Sequence, residues 1–248
     1  MSGGNDDAPQ SRPSRQPLSG LYPFLYSDSA GDIDAGIMAE VRRSTAEKAR
    51  EITELRRGLL AEYRDDLARC ALAMVDRFLA GARLLTFGNG GSSTDAVDVA
   101  TTFLHPPRGE PLPALSLTGD VAVLTALSND VGFEVVFSRQ IAAFGTGSDI
   151  AFGLSTSGGS ENVVRALEYA GRLGMLTIGL AGYKGGRLGE LDTLDHLFAV
   201  PSASVHRIQE AQTTLYHVLW ELVSRSLHVH SLSGESAAAS SDAQGGTQ

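Results

Sequence analysis

The chain has 248 residues, 42% of them apolar, and a formal net charge of −9. That length and apolar content fit one domain with a packed core, and the negative charge argues against direct nucleic-acid binding. Cys70 is the only cysteine, which excludes an internal disulfide and a cysteine zinc cluster.

Taken in order, Met1-Ser2-Gly3-Gly4-Asn5-Asp6-Asp7 lacks the basic start and apolar centre of a secretory signal. No later stretch is long and apolar enough to span a membrane. The expectation is a cytoplasmic protein without a membrane partner. Residues 1–20 are rich in Ser, Pro, Gly and Gln and are expected to be a disordered tail. Leu21-Tyr22-Pro23-Phe24-Leu25-Tyr26 is an apolar arm, either loosely held or packed on the domain or on a neighbouring subunit. Asp32 suits a helix cap. Ile33, Ile37 and Val41, then Ile52, Leu55 and Leu59, form a broken helical stripe. Leu67, Leu72, Val75, Phe78 and Leu79 form a stronger one over residues 63–79. These helices, within 32–80, precede the first strand, so their apolar faces need either the sheet or another subunit as partner.

From Leu84 onward strand and helix patterns alternate. Strands are expected at 84–87, 114–117, 150–154, 175–180 and 196–200. Helices are expected at 94–104, 120–127, 133–144, 160–172 and 205–227, with a short one after Gly182-Tyr183-Lys184-Gly185-Gly186. Such alternation predicts an α/β fold. The specific expectation is a flavodoxin-like three-layer α/β/α sandwich with a five-stranded parallel sheet, preceded by two N-terminal helices. One domain spans 21–230, and Ser-, Ala- and Gly-rich residues 231–248 read as a second disordered tail.

Two strand-to-helix turns stand out. Leu84-Leu85-Thr86-Phe87 runs into Gly88-Asn89-Gly90-Gly91-Ser92-Ser93. Ile150-Ala151-Phe152-Gly153-Leu154 runs into Ser155-Thr156-Ser157-Gly158-Gly159-Ser160. Glycine lets a ligand approach the main chain, and a helix N-terminus offers free N–H groups and a positive dipole end. The combination is either a tight connection or an anion site suited to phosphate. Hydroxyls and backbone amides would ring the phosphate without a lysine. Neither turn matches a Walker A loop or the spaced glycines of a dinucleotide site, so no nucleotide cofactor is expected. Ligands of such sheets lie beyond the carboxyl ends of the strands, where both turns fall.

Four motifs in order carry a resemblance: Gly88-Asn89-Gly90-Gly91-Ser92, Ser128-Asn129-Asp130-Val131-Gly132-Phe133, Ser155-Thr156-Ser157-Gly158 and Arg207-Ile208-Gln209-Glu210. From about Ile33 to Leu227 the chain resembles the SIS (sugar isomerase) family, and within it the phosphoheptose isomerases, which act on sedoheptulose 7-phosphate. The resemblance implies that Ser155, Thr156, Ser157 and Ser160 hold the phosphate, and that Asn89, Gly90 and Ser92 line the sugar turn. Asp130 would lie near the sugar hydroxyls, and Gln209 would also face substrate. It further implies a homo-oligomer, a tetramer in this family, with sites built from more than one subunit.

Aldose–ketose isomerisation needs a base for the C–H proton and an acid or metal for the developing oxyanion. In the family a glutamate on the helix after the glycine turn is the base and a histidine on the last helix its partner. A zinc ion lies between a histidine and that glutamate on one side and a glutamine and that histidine on the other. Gln209 and His217, about two turns apart on one helix face, match the second pair. The first pair is replaced: Asp98 stands at the family's histidine and Thr102 at its glutamate, and Pro106 stands at a phosphate-contacting arginine. Asp98 and Thr102 share a face. Asp98 is therefore the candidate replacement base with His217, and Asp98, Gln209 and His217 are the candidate zinc ligands. Asp95 reads as a complement to the helix end. The expected function is isomerisation of a heptose phosphate or related sugar phosphate with an altered base, the alternative being a non-catalytic sugar-phosphate sensor or scaffold.

Overall fold

The computed structural model describes residues 30–244, with side-chain surroundings for 35–231. The expected tail at 1–20 and the apolar arm at 21–26 lie outside the described residues. The chain divides into two compact units, one ending at Glu51 and one beginning at Ile52. In the first, the opening turns of α1 (Ala30–Glu62) expose Ile37, Met38 and Val41. Arg43 there pairs with Glu40 at 3.7 Å and with Glu47 at 3.1 Å. Because α1 starts at Ala30, Asp32 lies inside the helix rather than at its cap.

In the second unit, α1 is followed by α2 (Arg64–Leu79), β1 (Leu84–Gly88), α3 (Gly91–Leu104), β2 (Ala114–Ser116), α4 (Val121–Asp130) and α5 (Val136–Phe144). Then come β3 (Ile150–Ser155), α6 (Glu161–Leu173), β4 (Leu176–Gly182), β5 (His196–Val200) and α7 (Val205–Gln244). A short 3-10 turn at Phe133–Val135 leads into α5, and another at Gly186–Glu190 follows β4. The five strands are all parallel in the order β2-β1-β3-β4-β5. The α/β/α fold with two preceding helices is as the sequence predicts. Helix α7, however, continues to Gln244, through residues assigned by composition to a disordered tail. Alanines at 237–239 favour that continuation.

The strands β1, β3 and β4 are buried along their whole length, and their alternating side chains feed two cores. Leu84, Phe152, Leu154, Ile178 and Phe198 pack with α2, α3 and α7. Leu85, Phe87 and Ala151 pack with α5 and α6. Edge strand β5 would leave Ala199 unpaired on its outer side. Tyr63 closes that gap: its hydroxyl donates to Ala199 O (3.3 Å) and accepts from Ala199 N–H (3.1 Å).

The N-terminal ends of the strands are pinned by two carboxylates. Asp149 is 2% exposed. It accepts hydrogen bonds from Arg83 N–H (2.7 Å), Arg83 Nη2 (2.8 Å), Thr146 N–H (2.9 Å) and Thr146 Oγ1 (3.0 Å). Asp195 accepts from the backbone and hydroxyl of Thr177, each at 2.8 Å. These bonds tie β1 to β3 and β4 to β5 at one end and leave the carboxyl ends free for a site.

Burial opposes ionisation of Asp149, but the bonds from Arg83 and Thr146 outweigh it and hold its carboxyl below the ordinary value. A depressed carboxylate contributes stability above its unfolded pKa of about 3.9 and loses it as pH falls through the lower folded value. Asp149→Asn is therefore expected to cost about 2 kcal/mol at pH 7. In melting curves, the gap to the parent protein should narrow below about pH 4; a gap independent of pH would contradict the assignment.

Candidate functional site

In a sheet ordered 2-1-3-4-5, neighbouring connections leave β1 and β3 on opposite faces, opening a crevice between their carboxyl ends. Both conspicuous turns lie there. Gly90 takes φ 54° and ψ −123°, a conformation that a side chain resists. Helix α3 therefore starts at Gly91, three residues before the expected Thr94. No side chain caps it, so its first N–H groups face the turn. Ser92 is 3% exposed in the first turn of α3.

The second turn gathers hydroxyls. Ser155 Oγ lies 2.9 Å from Ser160 Oγ and 3.5 Å from Ser157 Oγ. Gly159 N–H donates to Ser157 Oγ at 3.1 Å, and Ser160 occupies the N-cap of α6 without capping it. Thr156 presents its carbonyl to Gly182, where a Cβ would collide with it. Glu161, in the first turn of α6, would repel a bound anion. It is instead paired with Arg165 at 2.6 Å and with Arg187, and the Arg187 bond leads in holding its carboxyl below the ordinary value. The cradle thus offers neutral donors and a helix N-terminus whose acid is already neutralised.

One contact joins the two turns. Asn89 Nδ2 donates to Asn162 Oδ1 at 2.8 Å, and Asn162 Nδ2 donates back to Asn89 Oδ1 at 2.9 Å. Sequence reasoning placed Asn89 at the sugar and missed Asn162, which has no motif of its own.

The helix pair α3 and α7 carries the remaining candidates. Gln209 lies against Gly91 so closely that any Cβ there would overlap its amide. Gln209 also faces Asp95, whose carboxyl is raised chiefly by burial, with the Gln209 amide acting against that rise. Sequence position alone suggests Asp95 as a complement to the helix end. Because α3 starts earlier, it sits beyond the first turn and faces α7. Asp98 is exposed and accepts a 2.5 Å hydrogen bond from Tyr216 Oη. Burial first, then that bond, push the Tyr216 phenol well above its ordinary value. The Tyr216 ring stacks on His217 with centroids 4.8 Å apart. His217 Nδ1 is 2.8 Å from the carbonyl of Thr213. A carbonyl only accepts, so Nδ1 carries the proton, and the only ring nitrogen that can offer a lone pair is Nε2.

The structure thus brings Gln209 to the glycine turn, and Asp98 to Tyr216 beside His217. It does not bring in Asp130, whose exposed carboxylate accepts from Asn129 at 2.8 Å and shares no hydrogen bond with either turn among the described residues. Thr102 stands one turn beyond Asp98 on α3, which ends at Leu104 before His105-Pro106-Pro107. Among the described residues no three of His, Cys, Asp and Glu gather as a metal site, so zinc there needs the amide of Gln209 as a ligand. The donor chemistry fits: a carboxylate, an amide oxygen and an imidazole whose other nitrogen is fixed by a carbonyl.

The SIS domain family matches residues 49–182. The chain is 42% identical over 176 residues to the phosphoheptose isomerase of Aquifex aeolicus, covering 70% of this chain and 91% of that relative. It is 45% identical over 156 residues to the phosphoheptose isomerase of Roseiflexus sp., covering 62% and 78%. Among solved structures, the phosphoheptose isomerase of Neisseria gonorrhoeae is similar with a TM-score of 0.69 at 32% identity, over 74% of this chain and 98% of that one. With this similarity spanning the sheet, both turns and the glycine-rich motif, the chain belongs to the SIS domain family, on its phosphoheptose isomerase branch.

Proposed function

We propose that the chain binds a phosphorylated sugar and interconverts its aldose and ketose forms, with sedoheptulose 7-phosphate or a related heptose phosphate as substrate. The observation that carries this reading is the convergence of the Ser155, Ser157 and Ser160 hydroxyls on the uncapped start of α6, beside the β1/β3 crevice. The phosphate sits in that cradle and the sugar extends toward Asn89, Gly90 and Ser92. The similarity to phosphoheptose isomerases supports the same substrate class.

The reaction needs a group that takes a proton from carbon. Thr102 has none to offer. His217 presents the Nε2 lone pair, oriented by Thr213, and Asp98 presents a carboxylate with one oxygen held by Tyr216. In our reading Asp98 and His217 share the proton transfer, with Gln209 directing an amide to the sugar. Zinc held by Asp98, Gln209 and His217 would polarise the substrate carbonyl, and the carbon-bound proton would then go to Asp98 alone, because a metal on Nε2 leaves His217 no lone pair. A homotetramer completes the reading: Leu60, Leu72 and Leu79 of the N-terminal helices are exposed, and apolar helix faces of this kind suit contact between subunits. Such an enzyme works in the cytoplasm. Among the described residues no helix is long and apolar enough to cross a membrane.

A second reading, a non-catalytic sugar-phosphate sensor, is favoured by Thr102 and by the engagement of Asp98 with Tyr216.

Proton NMR of sedoheptulose 7-phosphate in D2O, with zinc added, separates the two. Isomerisation predicts protein-dependent loss of a carbon-bound proton signal, reduced at least about 100-fold in Asp98→Ala and in His217→Ala. Line broadening without exchange would establish the sensor; absence of both effects would refute the substrate. Metal analysis of the same Asp98→Ala protein should find less zinc than in the parent. The cradle has its own test. Removing two hydroxyls in Ser155→Ala/Ser160→Ala, at about 1.5 kcal/mol for each bond to a charged group, should weaken inorganic phosphate on the order of 100-fold. Unchanged affinity would place the phosphate elsewhere. Light scattering should give the mass of a tetramer, and a monomer would refute that assignment.

A further inference from the structure

Asn162 belongs to both halves of the site. Its backbone is in the first turn of α6, where Val163 N–H and Val164 N–H both return to Ser160 O, at 3.0 and 2.9 Å. The N–H groups ahead of them, on Glu161 and Asn162, precede the helical ladder and point toward the phosphate cradle. Its side chain, on a residue 2% exposed, leaves that helix and grips Asn89 through two hydrogen bonds of 2.8 and 2.9 Å. Asn89 is half-buried and lies on the opposite side of the β1/β3 crevice.

An amide has two N–H donors and a carbonyl oxygen with two lone pairs. The reciprocal pair uses one donor and one acceptor of Asn89, and leaves one of each for a ligand. It also couples the two amides, because turning Asn89 alone would set donor against donor and carbonyl against carbonyl. Freed from Asn162, the Asn89 side chain could rotate, because the contacts that hold the turn, Ser93 N–H and Thr94 N–H to Gly90 O and Gln209 against Gly91, fix its backbone and not that amide.

We propose that Asn162 is a positioning residue that fixes the Asn89 amide and sets the distance between the phosphate cradle and the sugar turn. It thereby selects phosphorylated sugars over free phosphate. This rests on the sugar-phosphate reading above. Asn162 itself does not touch the sugar; it acts through Asn89.

Calorimetric titration of Asn162→Ala with sedoheptulose 7-phosphate and with inorganic phosphate tests the assignment. The expected result is at least a tenfold loss for the sugar phosphate and less than a twofold change for inorganic phosphate. A purely structural role would weaken both ligands alike, and that outcome, or no change in either, would overturn the proposal. Asn162→Gln guards against a misfolded variant. It keeps an uncharged amide that can both donate to and accept from Asn89, so it should recover part of the lost sugar-phosphate affinity at a melting temperature near that of the parent. Failure to recover more than Asn162→Ala, with the fold intact, would also count against it. If the unmodified protein binds phosphate but no sugar phosphate, the functional reading itself falls and this proposal with it. If it binds both and the variants match it, only this proposal falls.

Discussion

The pairing of β1 with β3 is the contact on which the rest of the structure depends. The two strands are far apart in sequence yet run in register from Leu84 opposite Ile150 to Gly88 opposite Leu154. Their lower ends are tied by Asp149, which takes the backbone N–H and guanidinium of Arg83. Their upper ends lead to the amide pair of Asn89 and Asn162. Parallel strands gain no hairpin to fix their register, so polar ties at both ends supplement the apolar packing of Leu85, Phe87, Phe152 and Leu154. The crevice above this strand pair is where a ligand belongs.

The turn after β3 gathers hydrogen-bond donors with no cation among them. Serine hydroxyls and helix amides supply directional donors, and the helix end adds a favourable field. The nearby arginines Arg165 and Arg187 are committed to Glu161. Their effect is to cancel a negative charge that would oppose phosphate. This arrangement tolerates the strongly negative net charge of the chain, since the local field at the turn is set within a few ångströms.

The other half of the site is organised by contacts between α3 and α7. Asp98 is hydrogen-bonded to Tyr216, and Asp95 faces the amide of Gln209, so polar groups meet at two places between the helices. Each sets the direction of a group that would face substrate: the amide of Gln209 in one case, the carboxylate of Asp98 in the other. His217 receives its orientation from its own helix, through Thr213. Around Thr102 the facing surfaces of α3 and α7 therefore carry a set of oriented acceptors.

Periodicity and punctuation made most of the fold legible in the sequence. The strands that pack between two helix layers read as short apolar runs, and the glycine and serine clusters marked the turns after β1 and β3. The cradle serines were legible for the same reason: they are consecutive, and a turn brings neighbours in sequence together in space. Tertiary structure alone decided the pairings across elements. Asn162 looks like any polar residue early in a helix until the β1–β3 register puts it opposite Asn89. Tyr216 looks like core until α7 lies against α3, and Asp95 changes role because Gly90 lets α3 begin early. Local signals report backbone conformation and burial, which depend on near neighbours; partners separated by a whole strand–helix unit are chosen by the packing of that unit.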